Sequence, residues 1–145
     1  MVKLRMMLVA FVALTALATA APGASAAPAA AAACGTRVDI GVTVFDSVHG
    51  LVKGSGSYTS RSCLAIYSIY LVIEYSGLAN GPYHPASGTK VTRYPSEPSS
   101  AKFSPKDYGC HYQNLPVYYR TKIHWAYQGG GSGTKYSNRI QILCV

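Results

Sequence analysis

The sequence predicts an all-β fold: a single sandwich-like domain of six or seven antiparallel strands, closed by two disulfides. Three observations carry that prediction. After the first thirty residues, apolar and polar side chains alternate at period two, and helical spacing is missing. Turns rich in Gly, Pro and Ser separate the alternating runs. Four cysteines, Cys34, Cys63, Cys110 and Cys144, stand far apart with no CxxC spacing of the redox or zinc type, as in exported disulfide-bonded domains.

The chain opens with Lys3 and Arg5, an apolar run over Met6 to Ala20, and small-residue cleavage sites at Ala18-Thr19-Ala20 and Ala24-Ser25-Ala26. That pattern predicts a secretory signal peptide over residues 1–26, its apolar run too short to span a bilayer. Residues 27–33 are an Ala/Pro arm, expected to be flexible because no side chain in it can anchor to a core. Residues 34–145 form the predicted β-domain. Cys34 follows Ala32-Ala33, but Ala31 stands where a lipidation signal needs a Leu-like residue, so lipidation is not expected.

In "TRVDIGVTVF", Val38, Ile40, Val42 and Val44 share one face, which predicts one half-buried strand. "LVKGSGSYTS" is a weaker strand whose small residues admit a close neighbour. "CLAIYSIYLVIEYS" is apolar on both faces and β-branched, the mark of a central strand. "SGLANGPYHPASG" is a loop, "TKVTRY" a short strand, and the three prolines of "PSEPSSAKFSPKDYG" predict an irregular crossing or an edge. "PVYYRTKIHWAY" alternates cleanly, with Val117, Tyr119, Thr121, Ile123 and Trp125 inward and Tyr118, Arg120, Lys122 and His124 outward. "QGGGSG" turns, and "TKYSNRIQILCV" closes the chain as the last strand.

Two hairpins select the disulfide pairing. Folding "TRVDIGVTVF" back through "DSVHG" brings Cys34 near Cys63, and folding back through "QGGGSG" brings Cys144 toward Cys110. The expected bonds are therefore Cys34–Cys63 and Cys110–Cys144. "SGTK" occurs twice, at Ser87–Lys90 and Ser132–Lys135, but a phosphate loop needs Gly-Lys-Ser/Thr before a helix. Both copies are expected to be turns that open a strand.

Catalytic groups do not converge in the sequence. His49, His84, His111 and His124 lie in predicted turns or at outward strand positions, without metal-ligand spacing. Asp39, Asp46, Glu74, Glu97 and Asp107 form no evident pair. A glycosidase-like pair of acids from distant strands, and a Ser-His-Asp site assembled from Ser55 or Ser57 with His49 and Asp46, are the remaining catalytic arrangements. The expectation is a protein that is not an enzyme and carries no cofactor and no metal.

The chain holds 13 Lys/Arg against 5 acids and 12 Tyr. Without Lys3 and Arg5 the mature part keeps 11 cations and all 5 acids, a formal charge of +6. Such a surface suits an acidic protein face, an anionic cell-wall polymer or a glycan. Nucleic acid is not expected for an exported chain without a binding motif, nor is membrane association after signal cleavage. The candidate face is the last hairpin. If the six-residue loop closes Tyr127 against Thr134, Arg120 falls opposite Gln141 and Lys122 opposite Arg139. Arg120, Lys122 and Arg139 would then form one exposed cluster beside Tyr118, holding an acidic partner or guarding a sheet edge.

This layout resembles two groups of actinobacterial secreted proteins. The tendamistat family of α-amylase inhibitors are exported β-sandwiches with two consecutive disulfides and a Cys one residue from the C-terminus, as Cys144 is here. Their Trp-Arg-Tyr inhibitory motif is absent, so no site carries over. The layout is also similar to the adaptor subunits of umbrella toxin particles, in which a compact secreted protein joins a lectin to a toxin-bearing chain. That resemblance implies a secreted, extracellular, non-catalytic protein–protein interaction module acting as an adaptor in a toxin complex. The alternatives are a hydrolase inhibitor and a cationic antibacterial protein that binds cell walls or glycans.

Overall fold

The computed structural model describes residues 31, 34–96, 98–110 and 115–144. The predicted signal peptide, most of the arm, Glu97 and His111 lie outside the described residues. In chain order the strands are β1 (Arg37–Ile40), β2 (Val44–Asp46), β3 (Leu51–Lys53), β4 (Gly56–Ser60), β5 (Ile66–Ser76) and β6 (His84–Pro85). β7 (Val91–Arg93), β8 (Ser99–Phe103), β9 (Tyr108–Gly109), β10 (Pro116–Tyr127), β11 (Ser132–Tyr136) and β12 (Ile140–Leu143) follow. The all-β expectation holds. The strands outnumber those predicted because bulges divide several of them.

One layer is a six-stranded antiparallel sheet centred on the pair β10–β5. β11 and β12 lie along the outer edge of β10, and β6 and β7 along that of β5. The facing layer is one long hairpin, β1–β2 returning as β3–β4, that bends into two three-stranded sheets. β8 completes one of them and β9 the other. The inner face of β10 carries Val117, Tyr119, Thr121, Ile123 and Trp125, all buried as the alternation predicts. Ile73, Leu71 and Ile69 of β5 stand directly across from Thr121, Ile123 and Trp125.

The bend corrects the reading of "TRVDIGVTVF" as one strand. Arg37 pairs with Thr59 and Ile40 with Gly56, but Val44 pairs with Lys53, so the first strand holds one extra residue between the two sheets. Such a bulge reverses the alternation beyond it. Val38 is therefore buried, whereas Val42 and Val44 are exposed and Thr43 turns inward. A second bulge corrects the last strand. Tyr136 pairs with Lys122 but Ile140 with Tyr119, which leaves Ser137, Asn138 and Arg139 to span two residues of β10.

The two bulges meet. Thr43 Oγ1 lies 2.6 Å from Thr121 Oγ1 and 2.7 Å from Ser137 Oγ. Thr43 N–H donates to Asn138 Oδ1 at 2.8 Å, and Asn138 Nδ2 donates back to Thr43 O at 3.2 Å. A Cβ on Gly54 would collide with Thr121, so glycine lets the layers approach at this level. The polar waist separates two apolar clusters. One holds Val38, Tyr58, Ile69, Leu71, Phe103, Ile123 and Trp125; the other holds Val52, Ile73, Val117, Tyr119 and Ile142. Burying each large aliphatic side chain contributes about 1.5–3 kcal/mol.

Both expected disulfides are present, with Cα separations of 6.0 Å for Cys34–Cys63 and 5.8 Å for Cys110–Cys144. The first staples the open end of the long hairpin. The second staples no hairpin: it joins the end of β9 to the end of β12 and so ties one layer to the other. Ala31 corrects the arm in part. It is buried in the first apolar cluster, and its carbonyl accepts Thr36 N–H at 3.0 Å. The second SGTK copy is also corrected, since Ser132–Lys135 lies within β11 itself.

Candidate functional site

The face of the six-stranded sheet turned away from the core is set by the alternation of β10 and β5. Tyr118, Arg120, Lys122 and His124 pair there with Ser76, Glu74, Val72 and Tyr70. The predicted outward positions therefore share one face, but not in the predicted way. The last turn is tighter than a six-residue loop, with Ala126 opposite Ser132 and Gly129, Gly130 and Gly131 all at positive φ. Lys122 consequently faces Tyr136, and Gln141 faces Tyr118 rather than Arg120.

The cations are not a repelling, unpaired cluster either. Glu74, only 4% exposed, stands across from Arg120. Its Oε2 accepts Arg120 Nε and Nη2, both at 2.8 Å, and Lys122 Nζ lies 3.5 Å from Oε1. The Arg120 guanidinium is held between two rings, 4.0 Å from the centroid of Tyr83 and 3.9 Å from that of Tyr136. Arg139 reaches sideways, donating from Nη1 to Ala79 O and to Asn80 Oδ1. A second row lies beside the first. Lys90 Nζ sits 4.3 Å above the Tyr70 ring, and Tyr70 packs 5.2 Å from His124, which shares a 2.9 Å hydrogen bond with Thr134. Tyr67 of β5 and Tyr94 just beyond β7, 60% and 71% exposed, meet edge to face.

Among the described residues this face sets Lys90, Arg120, Lys122 and Arg139 against the single carboxylate of Glu74. Glu74, Tyr83, Tyr136, Tyr70 and Lys90 were missed by the sequence reading. Glu74 had a signal: a lone acid in the apolar run "LVIEYS", in phase with Tyr70, needs a cation across the ladder. Tyr83 had none, because a loop placed it there.

His124 feels this charge. Burial first, then Lys122 and Lys90, push its imidazole below the ordinary value of 6.5. Below that value the unfolded chain binds the proton more readily, so the stability associated with a neutral His124 is full above pH 6.5 and is lost as pH falls toward the folded value. Stability should therefore decline as pH falls below about 6.5. His124→Gln should flatten that part of the profile in denaturant titrations at each pH; an unchanged slope would assign the decline to other groups.

A separate cluster lies at the tip of the long hairpin. Asp46 Oδ2 accepts Lys53 Nζ at 2.7 Å and lies 2.8 Å from His49 Nδ1. The hydrogen bond from Lys53, then that from His49, holds the Asp46 carboxyl well below the usual carboxylate range. The serines proposed to join this dyad do not. Ser57 is opposite Asp39 whereas Asp46 is opposite Leu51, roughly 20 Å along the hairpin at about 3.3 Å per residue. His84 lies in β6 beside Tyr75. No group of three or more metal-ligating side chains occurs among the described residues. No protein-family model matches the chain, and no curated protein or solved structure does.

Proposed function

We propose that this chain is a secreted, non-catalytic interaction module whose working surface is the outward face of the six-stranded sheet, and that its partner is an acidic secreted protein. The reading extends to an adaptor role in a secreted toxin particle. The observation that carries it is the excess of positive charge on a rigid sheet: Arg120 clamped between Tyr83 and Tyr136, Arg139 lining the same cavity, Glu74 across from Arg120, and Lys90 over Tyr70 in the neighbouring row. Cations fixed by rings and hydrogen bonds lose little conformational freedom on binding. They also speed the encounter with an oppositely charged partner.

A second reading, an anionic wall polymer or glycan, draws on the exposed edge-to-face pair of Tyr67 and Tyr94. Capture from culture fluid separates the two readings and a hydrolase inhibitor as well. Tagged wild type should retain a defined acidic protein at low salt and release it as salt rises. Lys90→Gln/Arg139→Gln should retain less; these two are chosen because neither touches Glu74. Retention unaffected by both changes would overturn the proposed face. Sedimentation with cell walls instead of a protein would favour the polymer, and capture of a hydrolase in its inhibited form would favour the inhibitor.

A further inference from the structure

Between the 80–83 turn and the outer edge of the sheet lies a shallow cavity of about 370 Å³, lined by Asn80, Gly81, Pro82, Tyr83, Arg120 and Arg139. Two guanidinium groups therefore border one cavity. Arg120 commits Nε and Nη2 to Glu74, and among the described residues no acceptor is placed on its Nη1. Arg139 is satisfied through Nη1 by neutral oxygens only, those of Ala79 and Asn80. Glu74 is shared between Arg120 and Lys122, so the charge around the cavity is not neutralised from within the face.

We infer that this cavity is a carboxylate-binding site that receives an Asp or Glu side chain of a protein partner. The inference rests on the reading of the outward sheet face as a partner surface and assigns its anchor point. Charge selects an anion, and the arrangement of the donors selects its kind. Both guanidinium groups are already oriented, one by two tyrosine rings and the other by the Ala79 carbonyl and the Asn80 side-chain oxygen of the turn. Donors fixed in this way reward a partner that presents a planar two-oxygen group at one defined position. A flexible polyanion gains more from mobile lysines spread along a groove than from two pinned arginines at one point. The close turn that forms one wall has Gly81 at positive φ, with Gly81 N–H bonded to Leu78 O at 3.1 Å, and it holds Tyr83 against Arg120.

The test uses the full disulfide-bonded chain, with the blocked peptide acetyl-Glu-Glu-Glu-amide as probe and side-chain NMR as readout. Saturable shifts are expected for the Nε–H groups of Arg139 and Arg120, the Asn80 amide and the Tyr83 ring. Arg139→Gln should weaken binding about tenfold, as loss of a charge-assisted contact does, and Arg139→Lys should weaken it less. Lys102→Gln, an exposed change on β8 in the facing layer, should alter it less than twofold. Arg139 is exposed, and each variant's thermal melt checks that it remains folded. Shifts centred on Tyr70 and His124, with Arg139→Gln neutral, would overturn the cavity while leaving the partner face in place. No shift anywhere on the outward face would remove the face itself. Shifts of the cavity residues by poly(glycerol phosphate) but not by the peptide would overturn the assignment in favour of a wall polymer.

Discussion

Replacing Cys110 and Cys144 together with alanine is expected to lower the stability of the fold by about 3.5–4 kcal/mol, the chain-entropy value for a loop of this length. The bond closes a separation of 34 residues, and Cys34–Cys63 closes one of 29, so entropy alone predicts nearly equal losses. Their positions predict different consequences. Cys34–Cys63 joins the two ends of one hairpin, whose strands remain paired through β1 and β4. Cys110–Cys144 joins the layers at an end where β9 contributes only Tyr108 and Gly109 to its sheet. Without it, amide exchange should accelerate first in β2, β3 and β9, whereas loss of Cys34–Cys63 should leave those strands protected. Against a typical total of about 5–15 kcal/mol, either loss is large. Urea unfolding of the two double mutants, with exchange mapped by residue, checks both points. Uniform acceleration in both mutants would show that the layers open as one unit.

Glu74→Ala should be the most damaging single substitution on the outward face, at about 3 kcal/mol. The acid is buried and accepts two hydrogen bonds from Arg120 while facing Lys122. Removing it leaves two partly buried cations side by side without a counter-charge, and it frees Arg120 from the position in which Tyr83 and Tyr136 hold it. A concerted apolar replacement, Glu74→Leu with Arg120→Met and Lys122→Met, should restore most of the loss, because an intact ion cluster contributes little net stability over well-packed apolar groups. Chemical denaturation of both variants decides the matter. A loss below about 0.5 kcal/mol for Glu74→Ala would mean that the cluster behaves as an exposed ion pair.

The sequence by itself determined the all-β class, the face assignment along β10, the central place of β5 and the pairing of the cysteines. Each follows from period-two alternation or from the reach of a hairpin, and both are local properties of the chain. What the alternation could not show is where it changes phase. Val42 and Val44 continue the pattern of Val38 and Ile40 perfectly in sequence, yet one extra residue beside Gly41 turns them to solvent and brings Thr43 inward. That bulge is stabilised by Thr121, Ser137 and Asn138, residues 78 to 95 positions away. The candidate site divides in the same way. Tyr118, Arg120 and Lys122 were legible as one row, because alternation alone puts them on one face. Their partners were not. Glu74 meets Arg120 through pairing between distant strands, and Tyr83 and Asn80 arrive on a loop whose course no local pattern encodes. Only the tertiary structure converts an apparent cluster of repelling charges into a clamped arginine beside a cavity, because the position of a counter-charge depends on which strands become neighbours.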